Sequence, residues 1–273
     1  MKPLLFGLIL LLIFTACEKD QGNKKAPEIP PLETMFNDFG EMTNITKSLE
    51  TAKTNWVYSA TTLKVWNALV WSRLALPVAA FKSATSYQPE VINDVTWAWQ
   101  WKYPIANNDE YTARLTGTLQ TASTIKWEMN ISKTGDGAFD DFLWFEGTSA
   151  TDGKDGQWIL YCGPGYPEKL LQVDWKIEVE EITEITYTYQ RKLNDSRTSD
   201  KFYGSTMTYG LQEGEFDVFA NISAYDFQTE QTGNTEMEWN RNDYSGHVKA
   251  ELFFGDEEWH CWDNYGNDVD CSN

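Results

Sequence analysis

Residues 171–179 read LQVDWKIEV. Leu171, Val173, Trp175, Ile177 and Val179 alternate with Gln172, Asp174, Lys176 and Glu178. Successive side chains of a strand point to opposite faces, so this alternation collects the apolar groups on one face and the polar groups on the other. A helix would scatter them around its axis. The stretch therefore predicts a β-strand with one buried and one wetted face, which favours antiparallel pairing.

The same period spreads outward from it. In Thr124–Ser132, Ile125, Trp127, Met129 and Ile131 alternate with Lys126, Glu128, Asn130 and Ser132. Thr96–Tyr103 reads TWAWQWKY, with Trp97, Trp99 and Trp101 on one face. Further strands are expected at Tyr111–Leu119, Phe142–Gly147, Trp158–Cys162, Ile185–Lys192, Phe202–Tyr209, Glu215–Tyr225, Glu236–Arg241, His247–Phe254 and Glu257–Asp263. About a dozen one-faced strands with short connections must curl or close.

Only one long stretch carries the helix period. In NWVYSATTLKVWNALVWSRLALPVAAF, Asn55–Phe81, apolar residues fall at Trp56, Ala60, Leu63, Trp66, Val70 and Leu74. Pro77 lacks an N–H and clashes one turn back, which predicts a stop or kink near Leu76. The expected fold is mainly β: a large antiparallel meander, curved or barrel-like, with one long N-terminal helix (about 55–81) packed against its concave face. The strands span about 96–263.

Bulk properties narrow the partners. With 22 basic and 41 acidic residues the net charge is −19. Such a chain is repelled by phosphate backbones, so no nucleic-acid partner is expected. Electrostatic adhesion to an anionic bilayer is disfavoured for the same reason. The 13 Trp and 13 Tyr suit strands and half-buried surfaces and exclude bulk disorder.

The N-terminus carries an address. Lys2 precedes an apolar run, Leu4–Phe14, of signal-peptide length, which ends in Phe14-Thr15-Ala16-Cys17. This resembles the signal and lipobox of bacterial lipoproteins, with Phe14 where that family prefers Leu. The resemblance implies that 1–16 is a signal peptide and that Cys17 is the lipidation site, bearing diacylglycerol and an amide-linked acyl chain such as palmitate. Several chains on one residue suffice for stable anchoring. It further implies a cell-envelope location, as an outer-membrane lipoprotein on the periplasmic or surface face, with the membrane as partner through the lipid anchor. Glu18-Lys19-Asp20 resembles the short acidic surface-export signal of some Gram-negative bacteria. Residues 17–33 read as a lipidated flexible tether, because QGNKKAPEIPP is polar and proline-rich. Residues 34–273 read as a single β-rich domain. Between Leu32 and Thr51, Met35, Phe36, Phe39, Met42 and Ile45 suit docking on that domain but show no clear period.

Three cysteines remain. A five-residue loop, Asn264–Asp268, would set Cys261 opposite Cys271 in a hairpin and favour a disulfide there. Cys162 would then be a buried thiol beside Trp158 and Leu160. A Cys162–Cys261 bridge is the rival pairing.

Little points to chemistry. A Gly255-Asp256 hairpin turn would place Glu251 opposite His260, with His247 roughly 13 Å further along, too far to share a metal ion. No Gly-Xaa-Ser-Xaa-Gly elbow or phosphate-binding glycine loop is present. The acidic turns Asp136–Asp141, Asp152–Asp155 and Asp263–Asp270 offer oxygen ligands that could hold calcium, but they lack EF-hand spacing and read by default as solvated turns. No catalytic, cofactor-binding or metal-binding residue is assigned, and no cofactor is expected. Most tryptophans read as core. Trp262, facing with Lys249, is the best exposed candidate for stacking a glycan. The expected role is a non-catalytic binding or structural module for a glycan, lipid or protein ligand. The alternative is a carboxylate-dependent, glycosidase-like envelope hydrolase. An apolar cavity would favour the first and a polar cleft with two convergent carboxylates the second.

The address is directly testable. Cys17→Ser is expected to release the protein from membrane fractions, and its continued co-sedimentation with them would disprove anchoring at Cys17.

Overall fold

A computed structural model describes residues 25–36, 54–104, 110–179 and 181–271. The signal segment, Cys17 and the 37–53 stretch with Phe39, Met42 and Ile45 lie outside the described residues. The described chain forms one antiparallel sheet of fourteen strands, each paired with its sequence neighbours. They are β1 (Glu90–Asn93), β2 (Thr96–Pro104), β3 (Glu110–Thr121), β4 (Thr124–Lys133), β5 (Phe139–Ala150), β6 (Asp155–Tyr161), β7 (Lys169–Glu178), β8 (Glu181–Tyr189), β9 (Thr206–Leu211), β10 (Val218–Asp226), β11 (Gln231–Trp239), β12 (Gly246–Lys249), β13 (His260–Trp262) and β14 (Asp268–Val269).

The alternation read from the sequence governs the burial. In β4, Ile125, Trp127, Met129 and Ile131 are buried while their neighbours are partly wet. In β7, Leu171, Val173, Trp175 and Ile177 are buried in the same way. Val179 departs from the pattern. It lies beyond the strand at φ 49° and is 95% exposed, because the chain is already turning back towards β8. The sheet is not closed into a barrel: β1 and β14 are its two edges.

Across the inner face, tryptophans alternate with glycines. Along one row Trp97 pairs Gly117, Gly117 pairs Trp127, Trp127 pairs Gly147 and Gly147 pairs Trp158. A second row runs Trp239, Gly246, Trp262. The Trp127 ring lies over Gly117, the Trp158 ring over Gly147 and the Trp262 ring over Gly246. A Cβ at Gly117 would sit 2.7 Å from the Trp127 ring, and one at Gly147 would strike both Trp158 and the Gln157 carbonyl. The large rings thus fit between strands only where their neighbours have no side chain. Some of the buried indoles keep acceptors: Trp127 donates to Ser149 Oγ (2.9 Å), Trp158 to Thr34 Oγ1 (3.1 Å) and Trp175 to the Gly153 carbonyl (3.2 Å), whereas the buried N–H groups of Trp66, Trp97, Trp101 and Trp144 find no acceptor among the described residues.

Thr34 belongs to a short 3₁₀ turn, Leu32–Thr34, beside β7 and β8. Met35 is fully buried, and Ala26, Ile29 and Leu32 pack against the core. The later part of the proline-rich segment therefore lies on the domain.

Helix α1 runs Thr54–Ala84 and corrects two expectations. First, of the stop or kink expected near Leu76, the stop does not occur. A mid-helix proline costs about 3 kcal/mol, but burying Val78 and Phe81 returns about 1.5–3 kcal/mol each, and Ala80 and Ala84 are buried beside them. Second, the packing expected for it along the concave face is not borne out. The helix backbone lies closest to β2 and β3 and to β12, β13 and β14, the strands towards the two ends. Phe81 reaches the middle, edge-on to Phe145 (5.7 Å) and Trp158 (5.4 Å). The mid-sheet is filled by its own tryptophans, which leaves the helix to bridge the ends. At its N-terminus Asn55 N–H donates to Asp268 (3.1 Å), and its side-chain amide donates to the Cys261 carbonyl (2.9 Å).

Cys261 and Cys271 form a disulfide with Cα atoms 5.2 Å apart. The hairpin register differs from expectation, since Cys261 pairs Val269 and Trp262 pairs Asp268. Asp263 shifts it by capping the loop, accepting from the Tyr265 and Asn267 N–H groups (2.8 Å each). The bridge therefore reaches past the last pair. Cys162 is half-buried rather than enclosed.

The close fit of rings to glycines sets a stability test. Gly147→Ala is expected to cost about 2 kcal/mol through overpacking, read as a lower urea midpoint. An unchanged midpoint would show that both the Trp158 ring and the Gln157 backbone can move aside.

Candidate ligand groove

The expected hairpin at Gly255-Asp256 does not form. β12 ends at Lys249, and Glu251–Phe254 makes one helical turn, α2, ended by Gly255 at φ 82°. β12 and β13 pair Gly246 with Trp262, His247 with Cys261 and Val248 with His260. Glu251 therefore does not face His260. The cause is apolar: leaving the strand lets Leu252 lie over Gly233 and Phe253 stack on Tyr58, ring centroids 4.1 Å apart.

Each histidine has its own aromatic neighbour and carboxylate. His260 stacks on Phe254 (3.8 Å) and hydrogen-bonds Asp256 (2.9 Å). His247 stacks on Trp259 (3.8 Å) and hydrogen-bonds Glu238 (3.0 Å). Burial lowers the His247 pKa below its ordinary value despite the opposing pull of Glu238. Neither arrangement offers a nucleophile. Trp262, expected to be exposed, is only 2% exposed. Its ring lies over Gly246, and its N–H donates to the Tyr244 carbonyl (2.6 Å), so it cannot stack a sugar.

The acidic turns use carboxylates in local hydrogen bonds. Asp152 accepts from Lys154 N–H (3.2 Å), Asp140 from Ser132 Oγ (2.8 Å), and Asp263 holds its own loop. Among the described residues, no group of three or more His, Cys, Asp or Glu could hold a metal ion. Among the described residues, four carboxylates have displaced pKa values, all downward. Lys176 lowers Glu178, the Thr229 and Gln228 N–H groups lower Asp226, and His260 lowers Asp256. At Asp217 burial pushes up, but the bonds from Arg241 outweigh it. A general acid needs the opposite shift.

What the structure does assemble is a groove of about 700 Å³ between α1, the β10–β11 hairpin and α2. Successive turns of α1 supply Val57, Tyr58, Thr61, Thr62, Val65 and Trp66 as one wall. The opposite floor is Ile222 and Ala224 of β10 with Gly233 and Thr235 of β11. These four are cross-strand partners, Ile222 with Thr235 and Ala224 with Gly233. Their size explains the space. Nearer Trp239 and Met237 the inner face is full, whereas towards the hairpin tip it carries Ala, Gly and Thr, and α1 cannot close the gap. Phe227, Leu252 and Phe253 form the rim and are 65%, 37% and 50% exposed, with Val65 at 59%. Tyr58 and Thr235 join their hydroxyls across the groove at 2.9 Å.

None of these residues was singled out by sequence, apart from the α1 stretch itself. The available signal was the run of small inward positions, Ala220, Ala224 and Gly233, in strands whose counterparts elsewhere carry Trp. The chain matches no known protein family, no curated protein and no solved structure.

The His247 environment gives a pH prediction with a definite sign. The folded pKa is lowered, so below about 6.5 the unfolded chain binds the proton more readily and stability falls as pH drops. Thermal melting between pH 7 and 5 is expected to fall, and His247→Gln to flatten that slope. An unaltered slope would assign it to other groups.

Proposed function

We propose that this protein is an envelope lipoprotein anchored through Cys17, and that its β domain is a non-catalytic module taking an apolar ligand in the groove beside α1. The observation that carries the reading is the groove itself: about 700 Å³, lined mainly by apolar side chains, within the roughly 300–1,000 Å³ of ordinary ligand sites. It adjoins exposed Val65, Phe227 and Phe253, and such clustered apolar exposure marks interaction sites. On this reading α1 fills part of the inner face of the sheet and the ligand occupies what it leaves.

The hydrolase reading finds less support. Among the described residues, Asp226 is the one carboxylate lining the groove. Its Oδ1 accepts the Gln228 N–H (2.7 Å) and the Thr229 N–H (2.8 Å), which ties it to the turn. A two-carboxylate mechanism needs a second, protonated partner across the site.

The neutral fluorophore N-phenyl-1-naphthylamine tests the groove. It is expected to bind and brighten, and Thr61→Trp, at an exposed position on the α1 wall, to weaken binding about tenfold, roughly 1.4 kcal/mol. Equal binding by this variant would place the apolar site elsewhere.

A further inference from the structure

We infer that the groove takes the single hydrocarbon chain of an amphiphile whose uncharged head rests among the hydroxyl and amide groups at its mouth. This rests on the groove being the ligand site, and three observations narrow that reading to this ligand class.

The first is shape. The α1 wall runs from Val57 to Trp66, a helical rise of roughly 13 Å. Opposite it lies the narrow strip Ile222, Ala224, Gly233 and Thr235. A long slot with a small-residue floor accommodates an extended chain. The exposed apolar area is confined to a few side chains, short of the ~1,000 Å² or more of a stable protein interface.

The second is charge. Among the described residues, no Lys, Arg or His lines the groove, and the one charged group there is Asp226. The N–H groups of Thr229 and Gln228 keep that carboxylate ionised. Lys201 lies outside the lining with its ammonium 5.3 Å from the Tyr225 ring centroid, engaged in a cation–π contact. An anionic head would meet Asp226 without a lining cation to offset it, in a chain of net charge −19.

The third is the polar inventory. Thr61, Thr62, Gln228 and Asn234 line the groove. These are neutral groups that both donate and accept, which matches the hydroxyls and ester of a glycerol-type head rather than a carboxylate.

The test uses the full chain bearing Cys17→Ser, to remove its own acyl groups, and reads displacement of N-phenyl-1-naphthylamine. The competitors are 1-monolauroylglycerol and laurate below their aggregation limits, which share one tail and differ in head. Monolauroylglycerol is expected to bind at least about tenfold more tightly than laurate. Val65→Asp, at a 59% exposed position, is expected to abolish its binding with the melting curve retained, while Val91→Asp on the edge strand is expected to bind as the parent does. Equal or tighter binding of laurate would overturn the uncharged head. Failure of both competitors, with the probe still sensitive to Thr61→Trp, would overturn the hydrocarbon-chain ligand and leave the groove standing. A probe indifferent to Thr61→Trp would overturn the groove itself.

Discussion

The structure depends on indole rings lying flat over glycines in the next strand. Trp127 occupies the space above Gly117, Trp158 that above Gly147, Trp175 that above Gly156 and Trp262 that above Gly246. Large rings on every strand of a curving inner face would collide. Alternating ring and hydrogen along a row lets each tryptophan spread sideways, so that neighbouring strands share one layer of packing. Curved sheets use glycine in this way, with an aromatic neighbour shielding the backbone it leaves bare. Aromatic groups of this size carry most of the burial energy of a core.

This packing also decides where space remains. Where the rows hold tryptophan, the rings fill most of the inner face and α1 adds Phe81 to them. Towards the β10–β11 tip the inward positions are Ala224 and Gly233, and there is no indole over Gly233. Its cover is Leu252, delivered by α2 from the segment after β12. A single side chain from a short helical turn covers less than an indole, so the groove opens where the tryptophan–glycine alternation gives out. Tyr58 holds α1 to this rim through Thr235 and Phe253, which keeps the helix at a set distance from the floor.

Legibility followed the range of the interaction. Strand alternation at 124–132 and 171–178 was readable because a period of two is local, and the tight Cys261–Cys271 spacing was readable for the same reason. Pro77 misled because its local cost is offset by Val78 and Phe81 packing on partners far away in sequence. The 247–263 segment misled because Leu252 and Phe253 reward leaving the strand only when Gly233 and Tyr58 are in place. Trp262 read as exposed because the assumed hairpin register was wrong, and its true cover is the pairing with Gly246.

By itself, then, the sequence determined the class of the fold, the inward face of most strands and the acidic charge balance, since each is a property of composition or of residues near one another in the chain. Only the tertiary structure decided which glycine each tryptophan covers, that the sheet stays open, and that α1 bridges its ends. It alone produced the groove, because a cavity is the difference between surfaces brought together from residues 57–66, 222–235 and 250–253, and no one of those stretches carries its shape.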